Sequence, residues 1–375
     1  MKVTLQPQLF GLSNLRLMIC RWLIKPLLET KSHDVPHWDP QSSCLKILKK
    51  TLHRFLRLLF RGQLFQMVPN ASLDQNICFI YADKANIGDA IMDLACITLL
   101  RNELDEKYEI NLIAHKDVLP VFLCDPRFSH VVSADNADEA RSLNADVCVM
   151  FLLDYKSIDT KARLFPKLPL LALHNWFAGD RNPMLHGASS LSKCFNLSMS
   201  PKNAVKSVRQ FFSPCASGSS ESLSTVEDFR RLYPSIVGVL VGGIDPNRTY
   251  GHWVKVLTSF RDKNVGFLLL GSSNGVEEAN TIHRSLNRIN VISKVGDLSL
   301  GDFKNAVEAC DVIVCPDGGG MHMSLGCDTK MVVLFGNESP DSRLPAQFDG
   351  IALHAMGEVS NINPHLVVDS INKLL

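Results

Sequence analysis

The run from Val312 through Cys315-Pro316-Asp317-Gly318-Gly319-Gly320-Met321-His322 constrains the fold of this chain more than any other stretch. An apolar segment, Val312-Ile313-Val314, leads into a glycine turn. A helix-compatible run follows, and a second apolar segment, Met331 to Phe335, ends at Gly336. Strand, turn, helix, strand is the repeating unit of a parallel sheet with helices on its faces. Glycines in such a turn let the backbone approach a ligand closely, and a helix that starts there points unpaired N–H groups outward. That is a seat for a phosphate or diphosphate. Asp317 and His322 would stand beside it. The local pattern also fits a tight loop with a capping Asp and a satisfied His.

The same alternation extends in both directions. Strand candidates are Ile77–Ala82, Glu109–Ala114, Val131–Ser133, Asp146–Phe151 and Leu170–Leu173, with helical stretches between several of them. A second set follows at Ile236–Val241, Val265–Leu270, Asn290–Ile292, Asp311–Val314 and Met331–Phe335, joined by helices near 251–261, 276–287 and 301–309. Between the sets, Ser213–Thr225 is rich in Ser, Gly and Pro and reads as a linker. The expected organisation is an α/β chain of two Rossmann-like domains facing a cleft. The N-terminal domain spans 76–212, the linker 213–225 and the C-terminal domain 226–345. Residues 346–375 form a closing segment that can pack back on the N-terminal domain. Ligands of such sheets bind beyond the carboxyl ends of the strands. Asn86-Ile87-Gly88-Asp89 and the Asp317 loop both follow such ends.

Residues 1–75 stand apart. They carry eleven Lys or Arg against four acids, about +7, while the whole chain has a formal net charge of +1. The whole molecule is therefore no polyanion binder, and no nucleic-acid partner is expected. In Cys44–Val68, Leu45, Leu48, Leu52, Phe55, Leu56 and Leu59 share one side of a helix. Lys46, Lys49, Lys50, His53, Arg54, Arg57 and Arg61 fall mostly on the other. Such a helix suits an anionic membrane surface, or the protein core with its basic face solvated. Leu15–Leu28 is interrupted by Arg16, Arg21 and Lys25, which suits neither a secretory core nor a bilayer span. The eleven cysteines include no Cys-x-x-Cys pair, which favours reduced thiols in a cytoplasmic protein over a disulfide framework or a zinc site.

Asp317 to His322, followed by Leu325-Gly326, Val332-Val333-Leu334-Phe335-Gly336 and Pro340, resembles the C-terminal signature of the bacterial heptosyltransferases of glycosyltransferase family 9. Asn86-Ile87-Gly88-Asp89 after Ile77–Ala82 resembles that family's strand–Gly-Asp–helix opening. Gly242-Gly243 through Trp253 looks like its donor-side loop, and Leu268-Leu269-Leu270-Gly271 with Glu277-Glu278-Ala279 like its next strand–loop–helix. The resemblance runs from about residue 77 to 345 and implies the GT-B layout.

It further implies inverting, metal-independent transfer of heptose from ADP-heptose to a lipopolysaccharide core, with no cofactor beyond the donor. The expected place of work is the cytoplasmic face of the bacterial inner membrane. Asp89 would be the general base, with a plain helix-start Asp as the alternative. Gly242, Gly243, Arg248, Glu277, Asp317, Gly318, Gly319, Gly320 and His322 would bind the donor; a solvated Arg248 and a solvated Glu277 are the bland alternatives. Three departures stand out: Gly318 replaces a Ser or Thr, the loop around Arg248 is shorter, and Asp93 replaces a Thr or Ser. Other readings stay open: a polysaccharide pyruvyltransferase-like enzyme, a catalytically silent nucleotide-sugar-binding partner, and heptosylation of a protein acceptor.

Overall fold

The computed structural model describes residues 44–83, 86–174, 182–216, 221–243, 245–286 and 290–375. The expectations for Leu15–Leu28 lie outside them. The elements used below are, in chain order, α1 (Cys44–Phe60), β1 (Ile77–Tyr81), α2 (Ile87–Asp93), β2 (Ile110–Ala114), β3 (His130–Ser133), β4 (Val147–Met150), α3 (Tyr155–Leu164), β5 (Leu170–Ala172), α4 (Pro183–Cys194), α5 (Glu221–Leu232), β6 (Ser235–Leu240), α6 (Trp253–Thr258), β7 (Val265–Leu270), α7 (Val276–Ser285), β8 (Val291–Ser293), α8 (Leu300–Glu308), β9 (Val312–Pro316), α9 (Gly319–Ser324), β10 (Lys330–Phe335), β11 (Gly350–His354) and α10 (Pro364–Leu374).

Every ladder is parallel. The first sheet has the order β3-β2-β1-β4-β5 and the second β11-β10-β9-β6-β7-β8. Each is doubly wound, so its order reverses at the centre: between β1 and β4 in one, between β6 and β9 in the other. The strands are almost wholly apolar because helices cover both faces. In β1, Ile77 and Phe79 enter one cluster while Cys78 and Ile80 enter another, the two-residue period of a strand. One continuous cluster joins an inner face of each sheet with α2, α4, α8 and α9, so the domains share a core. Helix starts are capped where the sequence allows: Asp154 accepts from the Ser157 N–H at 2.7 Å and Ser299 from the Asp302 N–H at 3.1 Å.

Four expectations need correction. The closing segment belongs to the C-terminal domain: β11 pairs with β10, and Val367 and Ile371 of α10 enter the cluster on that sheet's outer face. The half-exposed edge strand β11 has too weak an apolar alternation to stand out in the sequence. The linker is shorter than 213–225, because α5 begins at Glu221. Cys124 and Cys215 form a disulfide, 91 residues apart in sequence and 4.9 Å apart at Cα. Only the fold brings them together, and no spacing rule sees that.

The fourth correction concerns α1. Thr51 and Leu58 are buried against the domain, whereas Leu52, Leu56, Leu59 and Phe60 are exposed. The arginines hold the helix down: Arg57 Nε donates to Asp159 Oδ1 at 2.8 Å and Arg61 Nε to the same oxygen at 2.9 Å. His53 Nδ1 lies 3.1 Å from the Tyr155 hydroxyl. Part of the basic stripe thus faces protein and much of the apolar stripe faces outward. No described helix is long and apolar enough to cross a membrane.

Candidate functional site

The loops at the two sheet reversals carry Asp89, Gly242, Gly243 and Asp317 to Gly320, while Glu277 lies off them, after β7. Asp89 sits in the first turn of α2, after β1. Gly242 and Gly243 follow β6, and Asp317 to Gly320 follow β9. The α2 and α9 starts meet across the domain boundary. A Cβ on Gly88 would lie 2.7 Å from His322 Cδ2 and 3.3 Å from Gly319 Cα, so this contact requires glycine.

A chain of opposite charges crosses the cleft. Arg248 Nη1 is 3.4 Å from Asp317 Oδ2, and its Nη2 is 3.7 Å from Glu338 Oε1. Arg343 Nη2 is 3.3 Å from Glu338 Oε2, and its Nη1 is 3.8 Å from Asp89 Oδ1 in the other domain. Asp245 also approaches Arg248, at 3.9 Å. Two guanidiniums therefore serve four carboxylates. Asp317 is 5% exposed, and burial pushes its carboxyl above the usual range against the pull of Arg343 and Arg248. Asp89 keeps a half-exposed side chain. Arg248 is tied into the site rather than simply solvated. Glu338 and Arg343 were missed in the sequence; the only local cue was the Ser339-Pro340 turn that presents them.

The three turn glycines differ. A Cβ on Gly320 would strike Leu240 Cδ2, and Gly319 lies near the Gly88 amide. Nothing stands within 4 Å of a Cβ on Gly318, so the hydroxyl residue usual in the resembling family has room there. His322 is 3% exposed, and burial followed by Arg343 and Arg248 pushes its imidazole down to about 3. It is neutral, with Nδ1 3.2 Å from Gln210 Oε1. The ring packs on Gly88 and ties the two domains together at the floor of the cleft.

On the donor side, Gly242 has φ +82°, and its N–H donates to Glu278 Oε2 at 2.9 Å. A Cβ there would also lie 2.6 Å from Gly275 Cα, which presses the loops after β6 and β7 together. Burial pushes the Glu278 carboxyl up, opposed by that hydrogen bond. Glu277 is exposed in the first turn of α7. Gly243 borders Thr249 Oγ1.

Asp93, one helical turn after Asp89, is 7% exposed and accepts from the Tyr81 hydroxyl at 2.8 Å. Burial pushes it up to about 7; the Tyr81 hydrogen bond opposes this and Asp89 adds to it. Asn182 was also missed. Its Nδ2 donates to the carbonyls of Asp341 and Leu344, at 3.1 and 2.8 Å, on the loop that carries Arg343. An Asn directly before Pro183 was the sequence cue for a helix cap, not for a contact between domains.

Residues 236–353 match the family described as glycosyltransferase family 9 (heptosyltransferase). No curated protein matches the chain in sequence. Among solved structures, a family 9 glycosyl transferase from Veillonella parvula is 14% identical with a TM-score of 0.69, over 82% of this chain and 99% of that one. The ADP-heptose lps heptosyltransferase II of E. coli is 17% identical with a TM-score of 0.61, over 80% and 98%. The E. coli heptosyltransferase WaaC with ADP is 12% identical with a TM-score of 0.58, over 80% and 100%. At these identities the likeness speaks for the fold: two Rossmann-like domains facing a cleft.

Proposed function

We propose, from a C-terminal domain that matches glycosyltransferase family 9 and a fold shared with heptosyltransferases, that this chain is a glycosyltransferase moving heptose from ADP-heptose to the lipopolysaccharide core. One observation carries the mechanism: the chain of charges from Asp317 through Arg248, Glu338 and Arg343 to Asp89, which joins the two crevices.

Transfer from a nucleotide sugar needs a stabilised leaving diphosphate, a base for the acceptor hydroxyl, and alignment of both substrates. Arg248 and Arg343 supply the positive charge, and the backbone N–H groups of Gly318–Gly320 supply donors beside them. An incoming diphosphate exchanges with Glu338 and Asp89 as partner of the guanidiniums. That exchange releases Asp89 Oδ1 to take the acceptor proton. The acceptor oxygen attacks the anomeric carbon as the bond to the diphosphate oxygen breaks, giving inversion and free ADP. Gly242, Gly243 and the α7 start, with Glu278 bracing the loop and Glu277 at its edge, receive the nucleoside. In this reading no metal ion or cofactor takes part, and the acceptor is a glycolipid at the cytoplasmic face of the inner membrane.

Calorimetry with ADP-heptose, ADP, UDP and phosphoenolpyruvate, with and without EDTA, tests the donor. Selective, EDTA-insensitive binding of ADP and ADP-heptose is expected. Preference for phosphoenolpyruvate or UDP sinks the assignment. Asp89→Asn should keep donor binding and lose turnover; a wild type that binds donor yet never turns over would make the chain a silent binder.

A further inference from the structure

A second candidate site lies outside the transfer cleft. A cavity of about 650 Å³ opens at the carboxyl ends of β1, β2 and β3, where Ala82, His115 and Ala134 follow the three strands. Its other wall is α3 and the C-terminal end of α1. None of its lining residues belongs to the charge chain across the cleft. Ligands of parallel sheets occupy this end of the strands.

The lining is rich in cations. Arg61, Lys156 and Arg163 face Asp135 and Asp159. Asp159 is shared by two arginines, since Arg57 also pairs with it, so the local balance is positive. Lys156 stands 3.8 Å from Asp83, and Arg163 donates to the Ala134 carbonyl at 2.9 Å. Phe60 forms part of the same wall and is 80% exposed.

Phe60 also ends the outward stripe of α1. Leu52, Leu56, Leu59 and Phe60 recur at helical spacing on the solvent side, and Phe65, 79% exposed, continues just beyond the helix. Leu52, Leu56 and Leu59 stay 52%, 36% and 39% exposed, so the described part of the domain leaves much of that stripe open. Exposed Lys49 and Lys50 begin the same segment, within an extension of about +7 charge. Apolar surface rimmed by cations is complementary to an anionic lipid surface.

We propose that the cavity and the outer face of α1 form one seat for an anionic membrane lipid. A phosphate-bearing headgroup enters against Arg61, Lys156 and Arg163, and hydrocarbon lies along Leu52, Leu56, Leu59 and Phe60. The seat anchors the chain to the membrane and is separate from the acceptor position in the cleft. It rests on the membrane part of the function given above but not on the donor.

Flotation of the full chain with vesicles of phosphatidylcholine, with or without phosphatidic acid, tests it. Strong binding is expected only with the anionic lipid. Leu56→Glu with Phe60→Glu should weaken it about tenfold or more. Lys156→Gln, at an exposed residue, should weaken it severalfold. Neither change removes a buried side chain, so melting temperature should hold, and so should transfer to a water-soluble acceptor fragment. Glycerol 3-phosphate should bind far more weakly than the vesicles. Equal binding of the soluble headgroup would overturn the lipid assignment. So would vesicle binding undiminished by these substitutions, or a lipid-free dimer that Phe60→Glu dissociates. Lipid binding that behaves as described in a chain without transfer activity would keep the seat and reject the glycosyltransferase reading.

Discussion

Gly88→Ala tests whether the floor of the cleft is set by close contact between the domains. The added methyl would sit 2.7 Å from His322 Cδ2 and 3.3 Å from Gly319 Cα. Carbon atoms in contact prefer about 3.5–4.0 Å, so the ring must retreat by about 1 Å or the helix starts must part. The ring has little room: His322 and Gln210, bonded at 3.2 Å, are 3% and 5% exposed. Overpacking of this kind costs about 1–3 kcal/mol, and losing the Gln210 bond adds about 1 kcal/mol. A better helix residue returns less than about 1 kcal/mol. The expected net effect is a destabilisation of about 1–3 kcal/mol, with transfer impaired because the α2 start that carries Asp89 is pushed away from the Gly318–Gly320 turn. Chemical denaturation and steady-state transfer measure the two effects. A double variant with His322→Ala should cost less than the sum of its parts, since the second change makes room for the first. A Gly88→Ala protein as stable and active as wild type, or strict additivity, would refute the steric reasoning.

Other outcomes follow from the same geometry. His322 and Asp93 should pull stability in opposite directions across overlapping acidic ranges. The folded pKa of His322 is lowered to about 3, so the unfolded chain binds its proton first and stability falls as pH drops from the ordinary histidine value toward 3. The folded pKa of Asp93 is raised to about 7, so its contribution is complete below 3.8 and is lost as pH rises through 7. Denaturation against pH should show His322→Gln removing a loss on acidification and Asp93→Asn removing a loss as pH rises toward 7, each changing the slope in the overlapping range by up to about 1.4 kcal/mol per pH unit. Gly318→Ser should leave melting temperature and donor affinity near wild type, given the open space at that position. Glu278→Ala should weaken donor binding by loosening the Gly242 loop while Glu277→Ala does less, as read by calorimetry. Thiol titration of the denatured chain should find two more groups after reduction, and Cys124→Ser should cost about 2–5 kcal/mol.

The fold was legible because parallel strands buried on both faces leave nearly unbroken apolar runs. All ten strands expected from such runs are present, and only the half-exposed edge strand β11 escaped notice. Asp89, Gly242 and the Asp317 turn could be picked out as candidates because they lie in the loops and helix starts that follow β1, β6 and β9, the end of a parallel sheet where ligands bind. Glu338, Arg343, Asn182 and Gln210 were not legible. Arg343, Asn182 and Gln210 meet partners in the other domain, and Glu338 meets Arg248 far back in the chain, which no local pattern encodes. The outward apolar face of α1 was hidden for a different reason. Spacing tells which residues share a side of a helix, but not which side a neighbour claims; Asp159, about a hundred residues downstream, settled that by holding Arg57 and Arg61.

Asn182 joins the two domains through one side chain. Its Oδ1 accepts from the Leu185 N–H at 3.3 Å while its Nδ2 grips the backbone on either side of Arg343. One carboxamide is thus bolted to the head of α4 and to the arm that carries the cleft's cross-domain cation. A tilt of α4 becomes a displacement of that arm, with the carboxamide as the pivot. A substitution at Asn182 therefore unfastens a helix start in one domain and the Arg343 loop of the other in a single step.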